Sequence, residues 1–372
     1  MSKLFKYAFS DLYDISSGIS STKDQAGHGT PFASFRTVFN NIFLPDKLPD
    51  LMEVSEKEQE IYSIKKGDIL ITRTSETVDE LAMSCVALKD YPQATYSGFV
   101  KRLRPKTEGI VYDRFIAFYL RSSYFRKVIE CNTIMTLRAS FNEDMFSFLN
   151  LYLPDYETQK KVGDLLYHIE RRREYNARVN DNLAEMAYTT YMHLFFGRKA
   201  NGKIGDILIE NPKSSIQVGS AKETTGDYPF FTSGDAILEW SEPLIAGRNL
   251  YLNTGGNAGL KFYVGEAAYS TDTWCITAQD DLSDYLYLLL ESIKPELSQR
   301  FFQGTGLKHL QKPMLKDRAI YIPSTSEISA FNKSVMPWLT MISDNIRESQ
   351  QLTALRDWLL PMLMNGQATI SD

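Results

Sequence analysis

The chain has little of what most enzymes need. Its three cysteines, Cys85, Cys131 and Cys275, lie far apart. No Cys-x-x-Cys pair supplies metal-ligand spacing, and so few thiols suit a reducing, cytoplasmic setting. The four histidines, His28, His168, His193 and His309, are equally scattered and read as packing or surface residues. No apolar run approaches the roughly 18 residues of a membrane span, and the start, Met1-Ser2-Lys3-Leu4-Phe5-Lys6, has no apolar stretch of a secretory leader behind it. A phosphate-cradling Walker loop is absent, which removes the case for nucleotide hydrolysis. Gly255-Gly256-Asn257-Ala258-Gly259 lacks the Gly-x-Gly-x-x-Gly order and reads as a tight turn. Asn211-Pro212-Lys213 is not the Asn-Pro-Pro-aromatic motif of adenine methyltransferases, and no Pro-Asp pair is followed by the Asp/Glu-x-Lys of a metal-dependent nuclease. No catalytic residue, metal site or cofactor site is expected in this chain. A net charge of −5 weighs against nucleic acid, although DNA meets one face of a protein and not its average.

What is present is a long-range duplication. Ile320-Tyr321-Ile322-Pro323 repeats Leu151-Tyr152-Leu153-Pro154 at an offset of 169, and that offset runs without a gap to Gly197 and Gly366. Upstream the echo continues with loop-sized gaps. Ala94-Thr95-Tyr96-Ser97 answers Ala267-Ala268-Tyr269-Ser270, Pro31-Phe32 answers Pro229-Phe230, and Ser10-Asp11-Leu12 answers Gly205-Asp206-Ile207. The chain reads as globular domain, long helix, globular domain, long helix.

After Pro154 about 40 residues are helix-prone, with a heptad seam over Val162, Leu165, Ile169, Arg172, Asn176, Val179, Leu183, Met186, Thr190 and His193. The matching positions are Phe331, Ser334, Trp338, Met341, Asn345, Glu348, Leu352, Leu355, Leu359 and Met362. Each seam needs a partner, and the other copy is the obvious one. Antiparallel pairing would set the globular domains at opposite ends of a rod, with Asn176 and Asn345 near its middle as polar register residues. Pro337 predicts a kink or the end of a preliminary turn. The globular parts mix short strand-like runs, such as the turn and strand of Gly67–Arg73 and the run Asn249–Thr254, with one helix each, over Asp113–Ile129 and Leu282–Ile293. The fold class is therefore α/β in the α+β sense, without the alternation of a doubly wound sheet.

Two variable domains, each followed by a similar long helix, resemble the specificity subunits of Type I restriction–modification systems. The pieces that carry the resemblance are Tyr228-Pro229-Phe230-Phe231-Thr232-Ser233-Gly234, Leu151-Tyr152-Leu153-Pro154 with Gln159-Lys160, and the tail from Leu355 to Gly366. Thr30-Pro31-Phe32-Ala33-Ser34-Phe35 matches approximately. The resemblance implies a target-recognition domain over residues 1–153, a spacer helix over 154–197, a second recognition domain over 198–323, a second spacer helix over 324–366 and a tail over 367–372. Each domain would read one half of a bipartite double-stranded DNA target. The helices would dock two modification subunits carrying S-adenosylmethionine and methyl transfer, and a restriction subunit can join such complexes. The alternative reading is a coiled-coil adaptor that binds no DNA.

Phosphate contact calls for Lys and Arg, and base reading for Arg, Lys, Asn, Gln, Ser or Thr. The candidates in the first domain are Arg36, Arg73, Lys101, Arg102, Arg104 and Arg138, with Lys101-Arg102-Leu103-Arg104 the densest cluster. In the second they are Ser233, Asn253, Asn257, Lys261, Lys308 and Lys312, with Gly304–Lys308 as a phosphate-approaching loop. Arg171-Arg172-Arg173 would lean on spacer DNA or pair with a modification subunit, and the acidic stretch from Asp50 to Glu60 would face away from DNA.

Overall fold

The computed structural model describes residues 3–133, 139–364, 366–368 and 370. The chain divides into two units, unit 1 over residues 1–171 and 352–372 and unit 2 over 172–351.

Unit 1 holds a four-stranded antiparallel sheet. In chain order its strands are β1 (Tyr13–Ser17), β4 (Ile69–Thr72), β5 (Ser84–Val86) and β7 (Val100–Pro105), paired in the order β1-β7-β4-β5. A three-stranded sheet comprises β2 (Ala26–Ala33), β3 (Asp50–Met52) and β6 (Thr95–Tyr96), with β2 antiparallel to β3 and parallel to β6. The inner strand β4, Ile69-Leu70-Ile71-Thr72, reads as a nearly continuous apolar run because both its faces are covered. Ile69, Ile71 and Leu103 face helices α1 (Asp113–Tyr119) and α2 (Ser123–Asn132), whereas Leu70 and Val100 join Ala33, Val38 and Tyr96 on the other side. The long helix α3 (Tyr156–Phe195) begins here. Asp155 caps it by accepting the Thr158 amide at 2.9 Å. Gln159 is buried and fully satisfied: it accepts the Tyr112 amide and donates to the carbonyls of Ile110 and Pro154.

Unit 2 repeats the plan. Strands β8 (Leu208–Glu210), β11 (Arg248–Asn253), β12 (Leu260–Val264) and β14 (Thr273–Ala278) pair in the order β8-β14-β11-β12. Strands β9 (Tyr228–Phe231), β10 (Leu238–Trp240) and β13 (Ala268–Tyr269) form the small sheet, again with one antiparallel and one parallel pairing. Helix α4 (Ser283–Ser292) lies in one apolar cluster with Leu250, Leu252, Trp274 and Ile276. Helix α5 (Thr325–Met364) matches α3 residue for residue at both ends. It runs unbroken through Pro337, so that proline does not end a preliminary turn.

The helices pair antiparallel. In unit 2, Ala187, Tyr191 and Phe195 share a cluster with Phe331, Val335 and Leu339. In unit 1, Val162 and Leu166 share one with Leu363 and Met364, and Arg356 meets Glu170 at 3.0 Å. The buried line of α3 includes Val162, Leu166, Ile169, Asn176, Ala187, Tyr191 and Phe195. Half of the heptad seam predicted from the sequence is therefore one residue out of register. Leu165, Val179, Met186, Met341 and Leu355 are exposed, because a straight helix repeats at 3.6 and not 3.5 residues and its buried stripe drifts across the heptad.

The start of α5 yields a pH prediction. The Glu327 carboxylate accepts from the Ser324 amide at 2.9 Å, the Ser324 and Tyr321 hydroxyls at 2.8 Å and Arg198 at 2.5 Å. These bonds, the Ser324 amide foremost, hold its pKa down at about 2 from an ordinary 4.5. A carboxylate with a lowered folded-state pKa stabilises fully above its unfolded value and loses that contribution as pH falls towards the folded one. Amide exchange in the first turn of α5 is therefore expected to accelerate as pH drops from about 4.5 towards 2 after correction for intrinsic rates. Glu327→Gln should abolish that acceleration; an unchanged pH profile in the variant would refute the assignment.

Candidate nucleic-acid interface

The densest basic run of the sequence turns inward. Lys101 is 6% exposed, and its ammonium donates to Ser17 Oγ at 2.9 Å and meets Glu143 at 3.5 Å. Arg102, 8% exposed, donates to the carbonyls of Ile61 and Ser63. Arg104 forks onto the fully buried Asp68 at 2.7 and 2.8 Å, and that bond raises the guanidinium pKa. The expectation of a DNA-facing cluster is thus corrected for these residues: β7 is an inner strand with both faces covered, so its cations tie strands and loops together. Arg36 and Arg73 are exposed, without a hydrogen-bond or ion-pair partner for either guanidinium among the described residues. Arg138 lies outside the described residues.

Arg73 sits at a corner that unit 1 builds from three chain segments. Its amide donates to the Phe99 carbonyl at 2.8 Å, and its carbonyl accepts the Phe141 amide at 2.8 Å. The segment carrying Phe99 is tied back by Ser97 N to Ala33 O at 3.1 Å and Val100 N to Ser97 O at 2.9 Å. Unit 2 makes the same four bonds. Thr254 donates to Asp272 O at 3.1 Å and accepts Leu310 N at 3.0 Å; Ser270 N reaches Phe231 O at 2.9 Å, and Thr273 N reaches Ser270 O at 3.0 Å. Arg73 thus corresponds to Thr254, Phe99 to Asp272, and Arg36 to the vicinity of Ser233-Gly234.

The unit 2 candidates divide around this corner. Asn253, 9% exposed, donates to the carbonyls of Ser233 at 2.8 Å and Asn257 at 3.0 Å. It thereby holds the glycine loop, and a Cβ on Gly259 would lie 2.3 Å from its Nδ2. Ser233 donates to Asp272 O at 2.5 Å. Lys261 donates to the carbonyls of Thr232 and Gly234, and burial pulls its pKa down. Lys312 stands 4.6 Å over the Trp274 ring, 3.9 Å from Glu210. These four residues build the corner or its flank. The Asn257 and Lys308 side chains remain exposed on adjoining loops joined by the Gly256 N to Lys308 O bond at 2.9 Å. The residues missed in the sequence are Phe99, Thr254 and Asp272. The repeat pairing Tyr96-Ser97 with Tyr269-Ser270 could have led to Phe99 and Asp272, two residues further on.

Asn176 and Asn345 do meet across the helix pair. Asn176 is 3% exposed and donates to Glu348 at 2.6 Å and weakly to the Asn345 carbonyl at 3.5 Å, while Asn345 donates to Asn180 at 2.8 Å. Arg172, the middle of the arginine triplet, pairs with Glu348 at 3.0 Å. Among the described residues no group of three or more His, Cys, Asp or Glu could hold a metal ion, and no helix is long and apolar enough to cross a membrane.

Comparison with known proteins agrees with this layout. Residues 6–185 and 199–350 each match the family described as Type I restriction modification DNA specificity domain. The HindI specificity subunit of Haemophilus influenzae is 26% identical over 189 residues, 50% of this chain and 39% of that protein. The EcoDI specificity subunit of Escherichia coli is 21% identical over 154 residues, 40% of this chain and 34% of that protein. The matched stretches thus span little over a third of either relative. In fold, the crystal structure of the Type I restriction–modification S subunit from M. genitalium is similar with a TM-score of 0.66 at 14% identity, over 97% of this chain and 96% of that one. With both halves matched, the chain belongs to the Type I restriction–modification DNA specificity family.

Proposed function

We propose that this chain is the sequence-reading subunit of a Type I modification complex. Residues 1–153 read one half of a bipartite duplex target and residues 198–323 the other. The observation that carries this reading is the corner built twice by the same backbone bonds but furnished differently, with Arg73 and Phe99 in one copy and Thr254 and Asp272 in the other. A common frame with different side chains is what two unlike half-sites require, since backbone contacts position a protein and side chains at base edges specify. The chain supplies no methyl-transfer chemistry. Two modification subunits would bring S-adenosylmethionine and dock along the long helices, whose outward residues include Tyr175, Val179 and Met186 on α3 and Met341, Leu355 and Trp358 on α5.

Two outcomes are expected. Replacing residues 1–150 with the matching domain of a relative should change one half of the methylated motif, read by long-read sequencing, and leave the other intact; changes in both halves would mean joint reading. Light scattering at saturation should give two modification subunits per chain, and a plateau at one would count against two docking faces.

A further inference from the structure

The two corners differ most sharply at the position shared by Phe99 and Asp272. In both copies the backbone there is pinned. The Phe99 amide donates to Ser97 Oγ at 3.2 Å and its carbonyl accepts Arg73 N. The Asp272 carbonyl accepts Thr254 N, Thr254 Oγ1 at 2.8 Å and Ser233 Oγ. Yet each side chain is given to solvent. Phe99 is 64% exposed. The Asp272 carboxylate is exposed, with no hydrogen-bond or ion-pair partner among the described residues. Thr72 opposes Val100 in the ladder, so Arg73 and Phe99 are the next opposed pair, and their side chains leave the sheet on one face.

Neither choice serves the fold. A phenyl ring given to water on a pinned backbone forgoes burial, and a free carboxylate on a phosphate-facing surface opposes attraction to DNA. Both make sense at the edge of a base. The apolar feature of the major groove is the thymine C5-methyl, and the group that selects a carboxylate is the cytosine 4-amino donor. We infer that positions 99 and 272 are equivalent base-reading positions, Phe99 resting on a thymine methyl in one half-site and Asp272 accepting from a cytosine 4-amino group in the other. This rests on the proposed function and names the base chemistry that it leaves open.

The test uses the complex of the full chain with its S-adenosylmethionine-dependent modification subunit and a duplex carrying the mapped motif. Each thymine is replaced in turn by deoxyuridine, which removes only the methyl. One thymine, confined to one half, should show a loss of about fourfold in affinity, the worth of one buried methyl group. That loss should vanish in Phe99→Ala and persist in Asp272→Ala. Replacing each cytosine with the 2-pyrimidinone nucleoside, which lacks the amino group, should cost roughly fivefold or more at one position of the other half, and this loss should vanish in Asp272→Ala alone. Uracil that is neutral at every thymine with the unmodified chain overturns the Phe99 assignment even if Phe99→Ala fails to fold. A uracil loss that survives in Phe99→Ala overturns it as well. If 2-pyrimidinone is neutral at every cytosine, or its loss survives in Asp272→Ala, the Asp272 assignment falls. Failure of the parent reading is distinct: the complex would methylate no bipartite motif, which is seen before any variant is made.

Discussion

Replacing Arg248 with methionine is expected to destabilise unit 2 by roughly 3–5 kcal/mol, the usual cost of stranding one member of a buried ion pair. Arg248 forks onto Asp284 with two contacts of 2.6 Å and reaches Thr340 Oγ1 at 2.9 Å and the Met336 carbonyl at 3.1 Å. One side chain thus joins β11, α4 and α5. Asp284 is 1% exposed, and burial already pushes its pKa up, with Arg248 opposing. Without the guanidinium the carboxyl rises further. A raised carboxyl favours the folded state at low pH and penalises it as pH climbs through the folded value, so the deficit of the variant should shrink on acidification. Pairing Arg248→Met with Asp284→Leu should recover most of the loss, because an apolar replacement of both partners strands neither. Urea unfolding of the single and double variants decides the matter; a loss below about 1 kcal/mol in the single variant would mean that water or a neighbour compensates Asp284.

The parts of this architecture governed by local periodicity were legible in the sequence. The repeat offset predicted two equal helices, and their ends coincide, Tyr156 with Thr325 and Phe195 with Met364. Their caps coincide as well, Asp155 with Ser324. Asn176 and Asn345 stood out because polar residues interrupt an apolar stripe. The heptad template misplaced half of the seam, since it assumes supercoiled spacing, and Val179 and Met186 face outward as a result.

The two candidate corners were legible only in part. Lys101, Arg102 and Arg104 looked like a surface cluster because a sequence does not say that both faces of a strand are covered; their partners Ser17, Ser63 and Asp68 come from other segments. Asn253 and Lys261 are candidates for their donors, but those donors are engaged by carbonyls of the 232–234 segment and, for Asn253, of Asn257. Phe99 escaped notice because an isolated phenylalanine suggests a core, and Asp272 because acids repel phosphate. The repeat pairing of Tyr96-Ser97 with Tyr269-Ser270 aligns the two, and the shared backbone bonds show that they occupy one position.

The joint beneath the unit 1 corner gives the other large expected effect. Gly18 donates to Val100 O at 3.3 Å, Ile19 to Tyr96 O at 2.9 Å, and Gly98 returns a bond to Ile19 O at 2.6 Å. The chain at 18–19 therefore laces the segment that delivers Phe99. A Cβ on Gly18 would lie 2.2 Å from Ser97 O and 2.5 Å from Tyr96 O, and a Cβ on Gly98 2.8 Å from Ile19 O. These neighbours are backbone atoms, unable to rotate aside, so a methyl group must part the two segments. Gly18→Ala is expected to cost roughly 2–4 kcal/mol, at or above the usual range for overpacking. The displacement falls on Ser97, Gly98 and Phe99, so under the proposed function selectivity should be lost in the half-site assigned to unit 1 and kept in the other. Gly219→Ala is the control, since a Cβ there meets nothing within 4 Å and alanine narrows the unfolded ensemble; it should leave stability and motif unchanged or slightly improve stability. Thermal unfolding and methylation mapping of both variants provide the readout. If Gly18→Ala keeps the stability and the motif of the unsubstituted chain, the 18–19 joint does not position the corner.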